Sequence, residues 1–441
     1  MFLPESVRYC LDTLTQAGFR GYAVGGCVRD SLLGIVPHDY DLCSNATPEE
    51  LRRIFARHKL VLSGEKHGTV GVILGKQVIE ITTFRTEGTY KDNRHPDWVE
   101  FVGTVEEDLA RRDFTVNAMA YCPEDGYIDP WGGQADLKNH ILRAVGDPAT
   151  RFTEDALRIL RGVRFAVRFG LTPESQTWDA MSRLAPLMDN LARERVFDEL
   201  CKLLPLVNAQ DLKRFAPILI QVIPELAPCV DFNQHSPHHA YDVFTHTAYV
   251  VESVPAQLSL RWAALLHDTG KPASFTRDET GRGHFKGHAK ISAQIAAEIL
   301  RRLKAPTALR EQVVFLVEHH MLPLEPDKRL LRRRLGRYGV DTVYQLLALQ
   351  EADFGSKGTG KPEEGRVFSQ VRQLLEKILS EDACLSIKDL TVNGSDLLAM
   401  GFTPDPQLGQ CLAYLLEQVQ DETIPNEKES LLQAAKIYLE Q

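Results

Sequence analysis

The chain has no C-x-x-C pair: its eight cysteines, Cys10, Cys27, Cys43, Cys122, Cys201, Cys229, Cys384 and Cys411, are scattered over 441 residues. That spacing excludes a thiolate zinc ribbon and argues against a disulfide frame, so reduced thiols in a cytoplasm are expected. Long apolar runs are missing as well, and nothing approaches the ~20 residues that cross a bilayer. The opening MFLPESVRYCLDTLTQAGF mixes charge into a short amphipathic pattern, unlike a signal peptide. No membrane partner is expected. Excess positive charge is absent too: 51 Lys and Arg against 60 Asp and Glu leave a net −9, which argues mildly against a nucleic-acid binder. No long period repeats, which excludes a solenoid. Apolar and charged fractions of 44% and 25% are those of an ordinary globular protein. The length calls for roughly three or four domains.

Against this plain background one string stands out. Tyr22-Ala23-Val24 reads as a short strand, and it runs into GGCVRDSLLG (Gly25 to Gly34) and then HDYDL (His38 to Leu42). Paired glycines let backbone N–H groups approach an anion with no Cβ in the way, and Arg29 adds a planar fork of donors. If His38 to Leu42 is extended, Asp39 and Asp41 point to one side and offer hard oxygen ligands of the kind that hold Mg²⁺. Two such ions stabilise the attacking and leaving oxygens of a phosphoryl displacement.

From Gly21 to about Asp147 the chain alternates β-rich segments, Gly68 to Leu74 and Val78 to Phe84, with helical stretches such as Thr47 to Ala56. Beyond Arg151 the β pattern fades and helical spacing is expected to the end. The helical part opens with RFTEDALRILRGVRFAVRFG (Arg151 to Gly170). Read as one helix, it sets Asp155 and Arg158 on neighbouring turns of one face, with Arg161 a turn further and Arg164 half a rotation away. Cytosine and adenine each show an amine donor beside a ring-nitrogen acceptor, which a carboxylate and a guanidinium match. Uracil and guanine reverse that pattern and would leave polar groups unpaired, at about 1–3 kcal/mol each. Taken alone, such a pair is an ordinary surface salt bridge.

Together GG-x-x-R-D, D-x-D, RRDFTVNA (Arg111 to Ala118), DPWGGQADL (Asp129 to Leu137), GDPATRFTEDALRILR and ERVFDEL (Glu194 to Leu200) resemble the bacterial class II CCA-adding tRNA nucleotidyltransferases, the class shared with bacterial poly(A) polymerases. The resemblance implies an α+β chain: a polymerase-beta-like nucleotidyltransferase head, then an all-helical neck, body and tail. It implies that Gly26 and Arg29 hold the triphosphate and that Asp39 and Asp41 bind Mg²⁺, with Glu80 a candidate third carboxylate. Arg112, Asp155, Arg158, Arg161 and Arg164 would line the nucleotide. The partners implied are tRNA, CTP and ATP. An intact RTEGTYKDNRHPDWVEFV segment (Arg85 to Val102) favours CCA or A addition over CC addition. The rivals are an A-adding enzyme, a poly(A) polymerase, or a metal phosphohydrolase with an RNA-binding head.

The histidines supply the third rival. His246, His267-Asp268 and Asp353 follow the order H…HD…D and resemble the HD phosphohydrolases, which implies a divalent transition metal at those four side chains. His288 and either His319 or His320, with His319 taken here as the ligand, would serve a second metal. Whether such a site turns over or only keeps its fold stays open. Two further features have alternative readings. The basic run DKRLLRRRLGR (Asp327 to Arg337) is either a solvated helix face or an RNA contact, and the N–H groups of Gln407 to Gly409 meet either phosphate or their own packing. The expected division is a head at 1–147, a neck at 148–210, an HD body at 211–380 and a tail at 381–441, the tail being an expected tRNA contact.

Overall fold

The computed structural model describes residues 1–87, 99–359, 362–381 and 384–440. Residues 88–98 of the Arg85 to Val102 segment lie outside the described residues, as do 360 and 361. The chain divides into two compact units, Met1–Val207 with Arg214–Pro224, and Asn208–Lys213 with Glu225–Gln441.

The first unit is built on one seven-stranded sheet. Its strands are β1 (Gly21–Val24), β2 (Asp41–Ser44), β3 (Lys59–Val61), β4 (Thr69–Leu74), β5 (Gln77–Thr83), β8 (Ala120–Cys122) and β9 (Gly126–Ile128), in the order β3-β4-β5-β2-β1-β8-β9. A separate ribbon pairs β6 (Arg85–Glu87) with β7 (Val99–Phe101). The period-2 pattern of β5 explains its seat: Ile79, Ile81 and Thr83 are buried while Val78 and Glu80 face out. Parallel pairing of β2 with β5 sets Asp41 opposite Glu80, and antiparallel pairing with β1 sets Asp41 opposite Val24, the residue before the glycine turn. Helices α1 (Glu5–Gln16), α2 (Gly26–Leu32), α3 (Pro48–Ile54), α4 (Val105–Ala110) and α5 (Gly133–Lys138) complete the head. A reciprocal Thr47–Glu50 capping box starts α3 where the sequence predicted a helix.

The rest of this unit is α6 (Pro148–Glu154), α7 (Leu157–Phe169), α8 (Ser175–Leu184) and α9 (Arg193–Leu203). It is not wholly helical. β10 (Ile141–Leu142) pairs with β11 (Thr172–Pro173), because the left-handed Gly170 ends α7 and the next residues extend. Nor is Arg151 to Gly170 one helix. It breaks at Asp155, whose extended backbone and side chain cap α7 through the Leu157 N–H at 3.0 Å. Helix α7 packs closely at Gly162, where a Cβ would lie 2.9 Å from the Phe114 ring.

Helices α10 (Ala209–Arg214) and α11 (Ala216–Val222) follow, and the second unit continues with α12 (Val243–Ser253), α13 (Leu258–Leu266), α14 (Lys271–Ser274), α15 (His288–Arg302), α16 (Thr307–His319), α17 (Lys328–Tyr338), α18 (Val340–Gly355), α19 (Pro362–Ser380), α20 (Gly394–Ala399), α21 (Pro406–Gln420) and α22 (Lys428–Leu439). One two-residue hairpin, β12 (Thr276–Arg277) with β13 (Gly283–His284), interrupts the helices. Val392, Leu397, Phe402, Cys411, Leu415 and Leu431 bury a core of their own among the last three helices. No helix among the described residues is long and apolar enough to cross a membrane.

Candidate nucleotide cleft and metal cluster

The turn after β1 needs glycine twice over. Gly25 has φ +72°, and a Cβ there would lie 2.7 Å from Arg112 Nη1. The turn, Asp41, Arg29, Arg112, Asp155, Arg158, Arg161 and Arg164 all line one cleft of about 480 Å³. Gly26 lines it too. All seven residues predicted to bind the nucleotide, and Asp41 of the two predicted catalytic aspartates, therefore share a wall with the turn.

Asp39 does not. Strand β2 begins at Asp41, because β1 gives way to the Gly25–Gly26 turn and leaves earlier residues unpaired. The expectation that both aspartates alternate along one strand is therefore corrected: Asp39 sits on the loop before it and lines an adjacent cavity. The two carboxylates still feel each other. The Asp41 pKa is raised, by desolvation in the cleft first, against the pull of Arg112, with further upward pressure from Asp39. Mutual repulsion of this kind is what a divalent cation relieves, and Asp39, Asp41 and Glu80 offer hard oxygen atoms of the right type, although among the described residues only the histidine and aspartate groups of the second unit converge as ligand sets.

The arginines are held from behind by acids to which the sequence reading gave no such role. Asp108, fully buried, accepts from Arg111 at 2.8 Å and Arg112 at 3.1 Å. Arg161 grips Asp113 with Nε at 2.8 Å and Nη2 at 2.7 Å. Burial pushes the Asp113 carboxyl up, but Arg161 and the Asn117 amide outweigh it and bring it to about 2. Arg164 donates to buried Glu199 at 2.6 Å and lies over the Phe165 ring. Arg29 spends Nε and Nη2 on Asp30 and Nη1 on Asn117, with Phe169 beneath it at 4.2 Å. Two of its five N–H groups remain for a ligand.

Asp155 and Arg158 share the cleft but do not pair. Because Asp155 precedes α7, the helical-wheel angles expected for it do not apply. Its carboxylate meets Arg195 at 2.7 Å, while Arg158 takes Glu154 at 2.6 Å and the carbonyls of Arg151 and Arg111 at 3.1 Å. Arg195 and Glu199 belong to the ERVFDEL string, which was noted without a role for either residue. DPWGGQADL acts as scaffold: Asp129 caps α5 through Gly133 N–H at 2.6 Å, and Asp136 receives the Thr115 hydroxyl at 2.7 Å.

In the second unit, α12, α13, α15 and α18, with the residue after α16, bring a different set together. His246 Nε2 lies 3.0 Å from Asp353 and 3.6 Å from Asp268, His267 Nε2 lies 3.2 Å from Asp268, and His288 Nε2 lies 3.4 Å from Asp268. His320 Nε2 is 3.1 Å from His288 Nε2. Each Nδ1 has its own backbone carbonyl: Ser356 for His246, Ala264 for His267, Phe285 for His288 and Val317 for His320. With the proton drawn to Nδ1, bare Nε2 lone pairs face one another, an arrangement suited to metal ligands. Buried His246 Nε2 and His267 Nε2 have no hydrogen-bond partner. Burial holds His320 down to about 4, so it stays neutral. The residues group as His246, His267 and Asp268, and as Asp268, His288 and His320. His319 is corrected to His320: its ring stacks on Phe315 at 4.1 Å, one helical step out of the cluster.

Two features left with alternative readings gain partners within the chain. The Asp327 to Arg337 run carries ion pairs along its surface. Arg333 meets Asp421 at 2.5 Å, Arg332 meets Glu422 at 2.7 Å, and Lys328 meets Glu381 at 2.9 Å. At the start of α21, Asp405 takes the Gln407 N–H at 2.8 Å, which gives that group a partner within the chain, as the packing alternative has it.

Residues 21–143 match the poly A polymerase head domain, 170–212 a probable RNA and SrmB-binding site of polymerase A, and 284–435 a tRNA nucleotidyltransferase domain 2. The chain is 34% identical to a CCA-adding enzyme of Streptococcus sanguinis over 98% of this chain and 96% of that one. It is 33% identical to one of Latilactobacillus sakei over 99% of each. A crystal structure of the Bacillus stearothermophilus CCA-adding enzyme in complex with CTP matches at 27% identity with a TM-score of 0.71, over 98% of this chain and 96% of that one.

Proposed function

The chain belongs to the family of CCA-adding enzymes, and we propose that it adds C, C and A to tRNA 3′ ends from CTP and ATP without a nucleic-acid template. The observation that carries this reading is the cleft that joins Asp41 and the glycine turn to Asp155 and an arginine wall. Gly26, the remaining N–H groups of Arg29, and Arg112 are assigned to the triphosphate. Asp155 is assigned to the exocyclic amine and Arg158 to the ring nitrogen, so that UTP and GTP leave unpaired groups worth about 1–3 kcal/mol each. Arg161 and Arg164, locked by Asp113 and Glu199, form the wall against which the nucleotide is ordered. Asp39, Asp41 and candidate Glu80 would hold Mg²⁺, which when bound supplies charge stabilisation for phosphoryl displacement. In the reaction the tRNA 3′-hydroxyl attacks the α-phosphate and pyrophosphate leaves along the arginine wall. The four-part division and a cytoplasmic location, in keeping with eight free cysteines, belong to the same reading. So does tRNA contact by the tail away from Gln407.

Labelled-nucleotide incorporation tests it. Transcripts ending before CCA should take C and then A, and those ending in CC should take A alone. Incorporation only after CC would favour an A-adding enzyme, and A tracts on unrelated RNA a poly(A) polymerase. Asp39→Ala and Asp41→Ala should each abolish incorporation.

The facing imidazoles favour a second activity in the second unit, metal-assisted phosphohydrolysis at RNA ends. Asp39→Ala should leave it intact, while His246→Ala should remove it and spare incorporation.

A further inference from the structure

We infer that His284, backed by Asp278, is the general acid of the histidine and aspartate site and gives the proton that the leaving oxygen takes; the inference rests on the phosphohydrolase reading of that site. Asp268, His288, His320 and Asp353 of the cluster line a cavity of about 340 Å³, and so does His284. The ends of this cavity differ in depth. Asp268 and His320 are 1% and 2% exposed, whereas the His284 side chain is 49% exposed at the mouth. In-line displacement sets the attacking and leaving oxygens on opposite sides of the phosphorus. A group at the mouth, across the cavity from the buried cluster, stands at the leaving-group end.

The hairpin of β12 and β13 fixes this ring in place. Asp278 opens its turn, and one carboxylate oxygen accepts the Thr280 hydroxyl at 2.6 Å and the backbone N–H groups of Thr280 and Arg282 at 2.9 and 3.1 Å. The other oxygen takes the His284 Nε2–H at 2.7 Å. The Thr280 hydroxyl and His284 hold the Asp278 carboxyl well below the usual carboxylate range, so a full negative charge stands behind the ring. A carboxylate so placed fixes the tautomer and stabilises the imidazolium. His284 Nδ1 is left without a hydrogen-bond partner among the described residues. The hairpin is seated against the cavity wall, since the Gly283 N–H donates to the His235 carbonyl at 2.8 Å and a Cβ on Gly283 would strike the Gln234 carbonyl. Gln234 in turn accepts from Lys271, a cation of the cavity, at 2.9 Å. His239 lines the cavity too, but its ring packs edge-to-face on His246 at 5.3 Å and its Nδ1 is buried with no partner. In the step itself a solvent water attacks phosphorus from the cluster end, and its O–P bond forms as the P–O bond to the leaving group breaks. The electron pair stays on the leaving oxygen, which takes the proton from His284 Nδ1, and the proton shed by the water returns to His284 through solvent. Such help matters most for a basic leaving oxygen, such as a ribose hydroxyl of an RNA end.

The test assays the full chain with Ni²⁺ or Mn²⁺ on p-nitrophenyl phosphate and on phenyl phosphate, whose leaving oxygen is about as basic as that of tyrosine. His284→Ala should lower kcat/KM for phenyl phosphate about a hundredfold and that for p-nitrophenyl phosphate far less. His284→Gln, which keeps a donor for Asp278 but has no proton to give, should show the same split. Asp278→Asn, acting through His284 as a positioning residue, should show it at about tenfold and add nothing in the His284→Ala background. The rise in Tm on adding the metal ion should be unchanged in all three variants, which also shows that they are folded. Equal losses on the two esters, or none, overturn the acid assignment and leave the phosphohydrolase reading standing. A metal shift lost while the metal-free Tm is unchanged makes His284 a ligand and overturns the assignment as well. A wild-type protein that hydrolyses neither ester overturns both readings.

Discussion

The cleft of the first unit is crowded with guanidinium groups, and each one described in it is tied to an acid or a carbonyl before any nucleotide arrives. That order has an energetic consequence at Arg164 and Glu199, whose side chains are 9% and 5% exposed. Removing one member of such a pair leaves a buried charge uncompensated, at about 3–5 kcal/mol, whereas replacing both with apolar groups is often neutral. Glu199→Ala should therefore lose most of that amount in urea unfolding, and the Glu199→Leu, Arg164→Met double variant should recover it while losing nucleotide affinity. Asp113 sets an acid limit. Its carboxyl titrates at about 2 when folded against 3.8 when free, so the unfolded chain binds the proton first. The stabilisation, about 2 kcal/mol, is complete above pH 4 and lost as pH falls through the window from 4 to 2. Asp113→Asn should lower stability by about that amount near neutrality and flatten the stability profile across that window. The arginines themselves were legible because they sit in ordered strings. Their partners were not, because the choice of Glu154 over Asp155 for Arg158, and of Arg195 for Asp155, depends on distances set only by folding.

The largest misreading among the elements has a specific physical cause. RFTEDALRILRG contains neither proline nor an early glycine, so periodicity carries one helix through it. Asp155 breaks that helix because its carboxylate does two jobs better from an extended backbone, capping α7 at Leu157 and meeting Arg195. Helix propensity, worth tenths of a kcal/mol per residue, loses to a cap worth about 1 kcal/mol and a charged hydrogen bond. Asn caps as well as Asp, and both substitutions give up the charge pair with Arg195. Asp155→Ala should thus be about 1 kcal/mol less stable than Asp155→Asn by thermal or urea unfolding. Both should lose the preference for CTP and ATP over UTP and GTP in single-nucleotide incorporation. Undiminished preference in either variant would remove Asp155 from base selection. The strands at Gly68 to Leu74 and Val78 to Phe84 and the helix from Thr47 were read from local β-rich and helical stretches with little tertiary help. Strand β2 was not fully legible, since its start at Asp41 is decided by where β1 ends.

At the scale of the whole molecule, two compact units carry two chemically distinct sites, an arginine cleft in one and a histidine and aspartate cluster in the other. A ligand that binds only the folded form of one unit stabilises that unit, by about 2.7 kcal/mol at a hundred times its Kd. For units of this size that is roughly 5–10 °C in Tm. Calorimetry should accordingly resolve separate shifts. CTP should raise the transition of the first unit, and a divalent transition ion such as Ni²⁺ or Mn²⁺ should raise that of the second, with EDTA reversing only the latter. Asp268→Asn, which removes the carboxylate common to both ligand groups, should abolish the transition-metal shift and leave the CTP shift in place, and His320→Ala should reduce the former. His319→Ala should abolish neither, because its ring is stacked on Phe315 and has no place among the facing Nε2 atoms. A transition-metal shift that survives Asp268→Asn, or that needs His319, would mean that the cluster drawn together by α12, α13, α15 and α18 is a packing feature and not a metal centre.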